Sequence, residues 1–251
     1  MLALRWWGQI AVVGLALLTV MVAGCGVSGQ EREVTQPPSV EEKPWDPEPR
    51  SRAIQHILAA GLALQRERPD WALEHYIEAM QLTTDIEVAE RAVALAMQLR
   101  DDDRLAEAAK RLKELAPERA EANQLIGLAA LRRGDEDEGV EYLGEFIVQW
   151  RGSAGDAFVM LERTLRQGVE DEELMVRVLQ RLVDDYPEVE QANIVLAQAA
   201  ERIGCMEMAL EAAAQAYDLG LAGESAWLPR SAILKARLLR QQGSEGRALA
   251  V

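Results

Sequence analysis

A period of about 34 residues runs from Ala53 to the end of the chain, and it constrains the fold more than any single residue does. The clearest copy spans Ala120 to Ser153, where Gly127, Gly139 and Phe146 stand 12 and then 7 residues apart. The same small-residue spacing returns as Ala60, Ala72 and Ala79, and again as Ala197, Ala209 and Ala216. A unit of this length holds two helices and cannot bury its apolar face alone, so the copies must stack. Small residues at fixed offsets let the two helices of a pair approach closely. Ala and Leu dominate the apolar residues and aromatics make up only 5%, which suits packed helices and argues against a β-sandwich.

The expected fold is therefore all-α, a right-handed superhelical solenoid of tetratricopeptide-type helix pairs. Copy one covers about 53–85 and breaks at Arg68-Pro69-Asp70. Copy two covers about 86–119 with its turn at Asp101-Asp102-Asp103. Copy three covers 120–153 and turns at Gly134-Asp135, copy four covers 154–187 and turns near Gly168, and copy five covers 188–223 and turns at Gly204. Pro117 and Pro187 close copies, as proline ends a helix. A sixth copy opens with 226–242 and breaks off at Val251. A terminal repeat needs a polar cap, so this ending fits a piece of a longer protein, or a last repeat that frays or pairs with another molecule.

Residues 1–24 precede the solenoid as a targeting segment. One charge, Arg5, is followed by an unbroken apolar run from Ile10 to Val22, which describes a secretory signal peptide. The run ends in Val22-Ala23-Gly24-Cys25, which resembles a bacterial lipobox. That resemblance implies a covalent lipid on the Cys25 thiol and cleavage just before it. The small residues give the peptidase room, and only a thiol can form the thioether. A retained signal anchor is the competing reading, since 24 apolar-rich residues can span a bilayer. Gly26 stands where an inner-membrane retention aspartate would, so the resemblance directs the lipoprotein to the outer membrane, facing the periplasm. Several acyl chains anchor stably where one would not. Residues 25–50 follow as a lipidated start and a disordered tether, with Pro37, Pro38, Pro44, Pro47 and Pro49 too polar and Pro-rich to bury a core. Trp45 is its one large apolar residue.

The resemblance becomes more specific inside the solenoid. Asp85-Ile86-Glu87-Val88-Ala89-Glu90-Arg91-Ala92 is followed by Ala108-Ala109-Lys110-Arg111-Leu112, by Glu114-Leu115-Ala116-Pro117 and by Leu131-Arg132-Arg133-Gly134-Asp135. These stretches resemble gammaproteobacterial tetratricopeptide lipoproteins that act as adaptors of a periplasmic carboxyl-terminal processing protease. The likeness covers Cys25 and about 53–135 best and fades after Ala154. It implies a protein partner, a protease among the candidates, and membrane attachment through lipid.

Little in the chain points to chemistry. The net charge of −15 disfavours nucleic acid. Phosphate loops and Ser-His-Asp arrangements are absent from the sequence, and neither an enzyme, a small-molecule substrate nor a cofactor beyond the Cys25 lipid is expected. His56 and His75 lie on the two helices of copy one, where they could come near each other but lack an evident third metal ligand. Cys205 follows Gly204 with no histidine nearby in sequence to activate it.

Two charge ladders share the period. Asp101, Asp102 and Asp103, then Asp135, Glu136, Asp137 and Glu138, then Glu170, Asp171, Glu172 and Glu173 are spaced 34 and 35 residues apart. They fall at the turns between first and second helices, forming an acidic edge or simply capping helices. Arg132, Arg166 and Arg202 stand 34 and 36 residues apart late in first helices. They could present carboxylate-binding forks in a concave groove, with Leu128, Phe158 and Ile194 as apolar contacts, or serve the helix dipole. The leading functional expectation is a lipid-anchored periplasmic interaction scaffold, with a structural assembly lipoprotein (pilotin-like, or a component of outer-membrane protein assembly) as the alternative.

Overall fold

The computed structural model describes residues 48–223 and 225–251. The signal peptide, Cys25, Trp45 and the tether as far as residue 47 lie outside the described residues. Twelve helices follow one another, with no strand among the described residues. They form six consecutive pairs: α1 (Pro49–Gln65) with α2 (Pro69–Leu82), α3 (Ile86–Leu99) with α4 (Asp102–Leu115), α5 (Ala120–Arg132) with α6 (Glu136–Gln149), α7 (Ala154–Gly168) with α8 (Glu172–Asp184), α9 (Glu190–Arg202) with α10 (Met206–Ala222), and α11 (Leu228–Gln241) with the short α12 (Glu245–Ala248). Pro49 and Arg50, read as the end of the tether, open α1 instead, because proline at a first helical position fixes φ and loses no hydrogen bond.

Local signals set the helix ends. Asp85, Asp101, Asp135 and Asp171 each accept a backbone N–H of the following first turn, and Ser153 and Asp156 form a reciprocal capping box. The turn inside a pair repeatedly uses the left-handed region. Gly134, Gly204 and Gly243 have φ of 86°, 79° and 80°, while Glu67 (57°) and Arg100 (55°) take the same conformation without glycine's freedom. Gly168 stands just before the turn read near it, but without a left-handed φ. It is the last residue of α7, followed by extended Val169, and its need for glycine is steric. A Cβ on it would lie 2.6 Å from Leu128 Cδ1 and 3.1 Å from Arg132 Nη2.

The core is built from two clusters that meet at α5. Ala122 and Ala129 belong to the cluster formed with α1–α4, whereas Leu128 and Leu131 belong to the cluster that continues through α6–α11. Met97 packs against both. From Ala122 to Leu131, α5 is buried at every residue but Leu125, which is half-buried. Pairs differ in how closely they pack. The α1/α2, α5/α6 and α9/α10 pairs, which carry the Gly/Ala spacing, are tight, while α7 and α8 touch only lightly. Leu161 occupies in α7 the place that Gly127 holds in α5, one period earlier, and its bulk holds the axes apart. At the other extreme, α1 turns Ile54, Leu58 and Leu62 to solvent, each at least half exposed. Among the described residues, no helix is long and apolar enough to cross a membrane.

The α5/α6 contact yields a test whose sign runs against propensity. Alanine for glycine within a helix ordinarily stabilises by about 1 kcal/mol. Here a Cβ on Gly127 would sit 2.8 Å from Leu143 Cγ and 3.1 Å from the Gly139 carbonyl, and one on Gly139 would sit 2.4 Å from Leu131 Cδ2. Overpacking typically costs about 1–3 kcal/mol. Gly127→Ala and Gly139→Ala are therefore expected to destabilise by about 1–2 kcal/mol net in urea unfolding, and a gain in stability for either would refute the close contact.

Candidate functional site

The residues expected to bind a partner are mostly committed to the solenoid itself. Leu128, Phe158 and Ile194 are not groove contacts: they are 1%, 0% and 2% exposed and fill the larger core cluster. Their helical positions put them on the face between pairs, where each pair must bury apolar surface. Phe158 also meets Tyr186 edge to face at 5.7 Å between centroids.

The arginine ladder likewise turns inward. Arg132 donates through Nε to the Gly168 carbonyl at 2.7 Å and pairs through Nη1 with Asp102 at 3.2 Å, with its side chain only 14% exposed. It thus closes the C-terminus of α7, the end of a helix dipole that favours a cation, and neutralises Asp102 in the first turn of α4. Arg202 and Arg166 converge on one carboxylate, that of Glu162 in α7, at 3.2 and 3.4 Å. Arg202, its side chain 32% exposed, joins α9 to α7, whereas Arg166 is the more open member at 56%. A row of open forks is therefore not what these three residues make.

The acidic edge is answered in the same way. Asp101, Asp135 and Asp171 are N-caps. Asp102 takes Arg132, Asp103 lies 3.8 Å from Arg133, and Glu138 receives both Lys110 and Arg133. Glu136 faces Arg177 and Arg181, and Asp137 faces Arg181. Glu170 accepts a hydrogen bond from Arg100, which holds its carboxyl below the usual range. Only Glu172 and Glu173 remain exposed without an ion partner among the described residues. Among the described residues, the two ladders touch only at Arg132 and Asp102; the remaining paired acids are answered by Arg100, Lys110, Arg133, Arg177 and Arg181, and the other two ladder arginines by Glu162. The Arg100–Glu170 pair is fully exposed, so it adds little to stability.

What stays open is the opposite edge, where one pair hands over to the next. The loop after α4 (Glu118, Arg119) and the loop after α6 (Trp150, Arg151, Gly152) flank a cleft of about 650 Å³. Ala120, Glu121, Gln149 and Asp156 complete its lining. Trp150 is held by Phe146, with ring centroids 5.2 Å apart, and its indole N–H lies so close to Gly152 that any Cβ there would meet Nε1 at 2.7 Å. Arg119 pairs with Glu90, while Arg151 is exposed with no ion partner among the described residues. Behind Gln149 sits Asn123, which is 0% exposed; its amide donates to Gln149 Oε1 at 3.1 Å and its own Oδ1 lacks a partner. A rigid aromatic beside an uncommitted guanidinium and a free-standing glycine loop can take an extended chain carrying carboxylates. The sequence signal was present in Trp150-Arg151-Gly152 at the end of copy three, but those residues do not recur in the other copies.

Among the described residues, no cluster of three or more His, Cys, Asp or Glu side chains is arranged to hold a metal ion. His56 and His75 do come together, with Nδ1 atoms 3.2 Å apart. Cys205 is exposed and unpaired.

Replacing the ladder arginines separates their roles. Arg132→Gln removes a buried donor from a helix-end carbonyl and from Asp102, and is expected to cost about 1–3 kcal/mol in chemical denaturation. Arg166→Gln, at a solvated site, should stay within about 0.5 kcal/mol of the parent. Equal effects of the two would contradict the assignment.

Neither a protein-family model nor a curated protein matches the chain. Among solved structures it is similar to MamA from Desulfovibrio magneticus RS-1, at 20% identity, covering 69% of this chain and 98% of that one with a TM-score of 0.38. It is also similar to YrrB, a TPR protein with an unusual peptide-binding site, at 16% identity with 70% and 87% covered and a TM-score of 0.36. PilW, a widely conserved type IV pilus biogenesis factor, is similar at 15% identity with 79% and 89% covered and a TM-score of 0.36.

Proposed function

We propose that the chain is a lipid-anchored scaffold that holds another protein at the periplasmic face of the outer membrane, without catalysing a reaction itself. The observation that carries this reading is the edge cleft beside Trp150 and Arg151, open on a solenoid whose repeating charges are mostly paired within the chain. Stacked pairs hold such a cleft rigid, so a partner segment docks without reordering its host. The lipobox-like Val22-Ala23-Gly24-Cys25 supports attachment through Cys25. The likeness of 53–135 to lipoprotein adaptors makes a periplasmic processing protease, together with its substrates, the partner of choice.

The full chain purified from membranes in mild detergent tests both parts. Arg151→Glu combined with Glu121→Lys reverses the cleft's charge pattern without touching the core, and is expected to reduce protease capture about tenfold. Arg166→Glu should leave capture unchanged. Co-purification of pilus or barrel-assembly components, with no protease, would replace the adaptor with the structural assembly role. Separately, the parent is expected to incorporate labelled palmitate and Cys25→Ser to lose that label. Absence of the label from the parent would instead identify the first segment as a signal anchor.

A further inference from the structure

His56 and His75 face each other across the first helix pair, one from the middle of α1 and one from the middle of α2. Their Nδ1 atoms are 3.2 Å apart, and the rings are tilted by 53° with centroids at 5.4 Å. Two nitrogens bound to one tetrahedral zinc at 2.0–2.1 Å are separated by about 3.3 Å, the edge of the tetrahedron. An octahedral or square site would bring cis nitrogens to about 2.9 Å. The observed separation thus matches the tetrahedral edge without any movement of the backbone. We propose that His56 and His75 form a two-imidazole clamp for a divalent transition metal, zinc being the ion that fits the spacing best.

Both histidines are half-buried rather than enclosed, which leaves an entry path and room for water at the two remaining coordination positions. The packing around them is preorganised. On α1, Ala53, Ala60 and Ala63 are buried, and on α2, Ala72 and Ala79 are buried, so the helices are locked at close approach before any metal arrives. Without metal, one neutral imidazole donates its Nδ1–H to the lone pair of the other. With metal, that proton moves to Nε2 of the same ring and both Nδ1 lone pairs face the ion, so neither ring changes its charge. A clamp of this kind ties α1 to α2 at the pair whose outer face, through Ile54, Leu58 and Leu62, has no helical neighbour among the described residues.

The test is thermal unfolding of the full chain in detergent, first stripped with chelator and then titrated with zinc chloride. A ligand that binds only the folded state at ten times its dissociation constant raises the midpoint of a chain this size by about 3–6 °C. That rise should disappear in His56→Gln and in His75→Gln, each checked for helical content by circular dichroism, and chelator should reverse it in the parent. Hydrogen exchange should slow in α1 and α2 and not elsewhere. No shift in the parent, or the same shift in both variants, which would place the metal on another group such as Cys205, overturns the clamp.

Discussion

Everything in this solenoid leans on α5. It contributes alanines to one core cluster and leucines to the other, and among the described residues it is the only helix that both clusters share so fully. Gly127 lets α6 close on one side, Gly168 lets α7 close on the other, and Arg132 ties its end to both α4 and α7. A helix buried all round is hydrophobic or small on every face, and Ala122–Leu131 satisfies that except at Asn123 and Gln124. Those two polar groups reach Gln149 and Thr164 in the flanking helices, so even they serve packing.

The alternation of tight and open pairs follows from side-chain size at two positions. Where glycine or alanine stands at the crossing, as in α1/α2, α5/α6 and α9/α10, the axes come close. Where leucine stands there, as Leu161 does in α7, α7 is held away from α8 and packs on α9 instead. Buried polar bonds then supply part of the adhesion, as when Ser231 of α11 donates to the buried Glu190 of α9 at 3.1 Å.

The period, the helix pairs and the capping aspartates were legible in the sequence because each depends on residues close in the chain. Cap and turn chemistry is local, and small residues at offsets of 12 and 7 report a contact within one pair. The fate of the arginine and acid ladders was not legible. Both recur every 34–36 residues, and a shared period cannot say whether they face a partner or each other. That answer depends on how one copy rotates on the next, which no spacing encodes. Phe158 and Ile194 were misplaced for the same reason: the face between pairs and the face toward a groove lie on neighbouring stripes of one helix. The edge cleft escaped because Trp150 and Arg151 stand at handover-loop positions where no other copy carries the same residues, whereas the histidine pairing depended on one local crossing and could be foreseen.

The contact between Arg100 and Glu170 reaches from the second pair to the fourth, passing over the third, but an exposed ion pair is too weak to tie them. Arg132 of the third pair instead bonds to both of its neighbours, Asp102 of the second and Gly168 of the fourth. Repeat arrays are ordinarily described as rows of units joined by separate interfaces. Here one largely buried side chain belongs to two interfaces at once, so opening either loosens the other. A pulling experiment would register pairs two to four as one longer step instead of a staircase of repeat-sized ones.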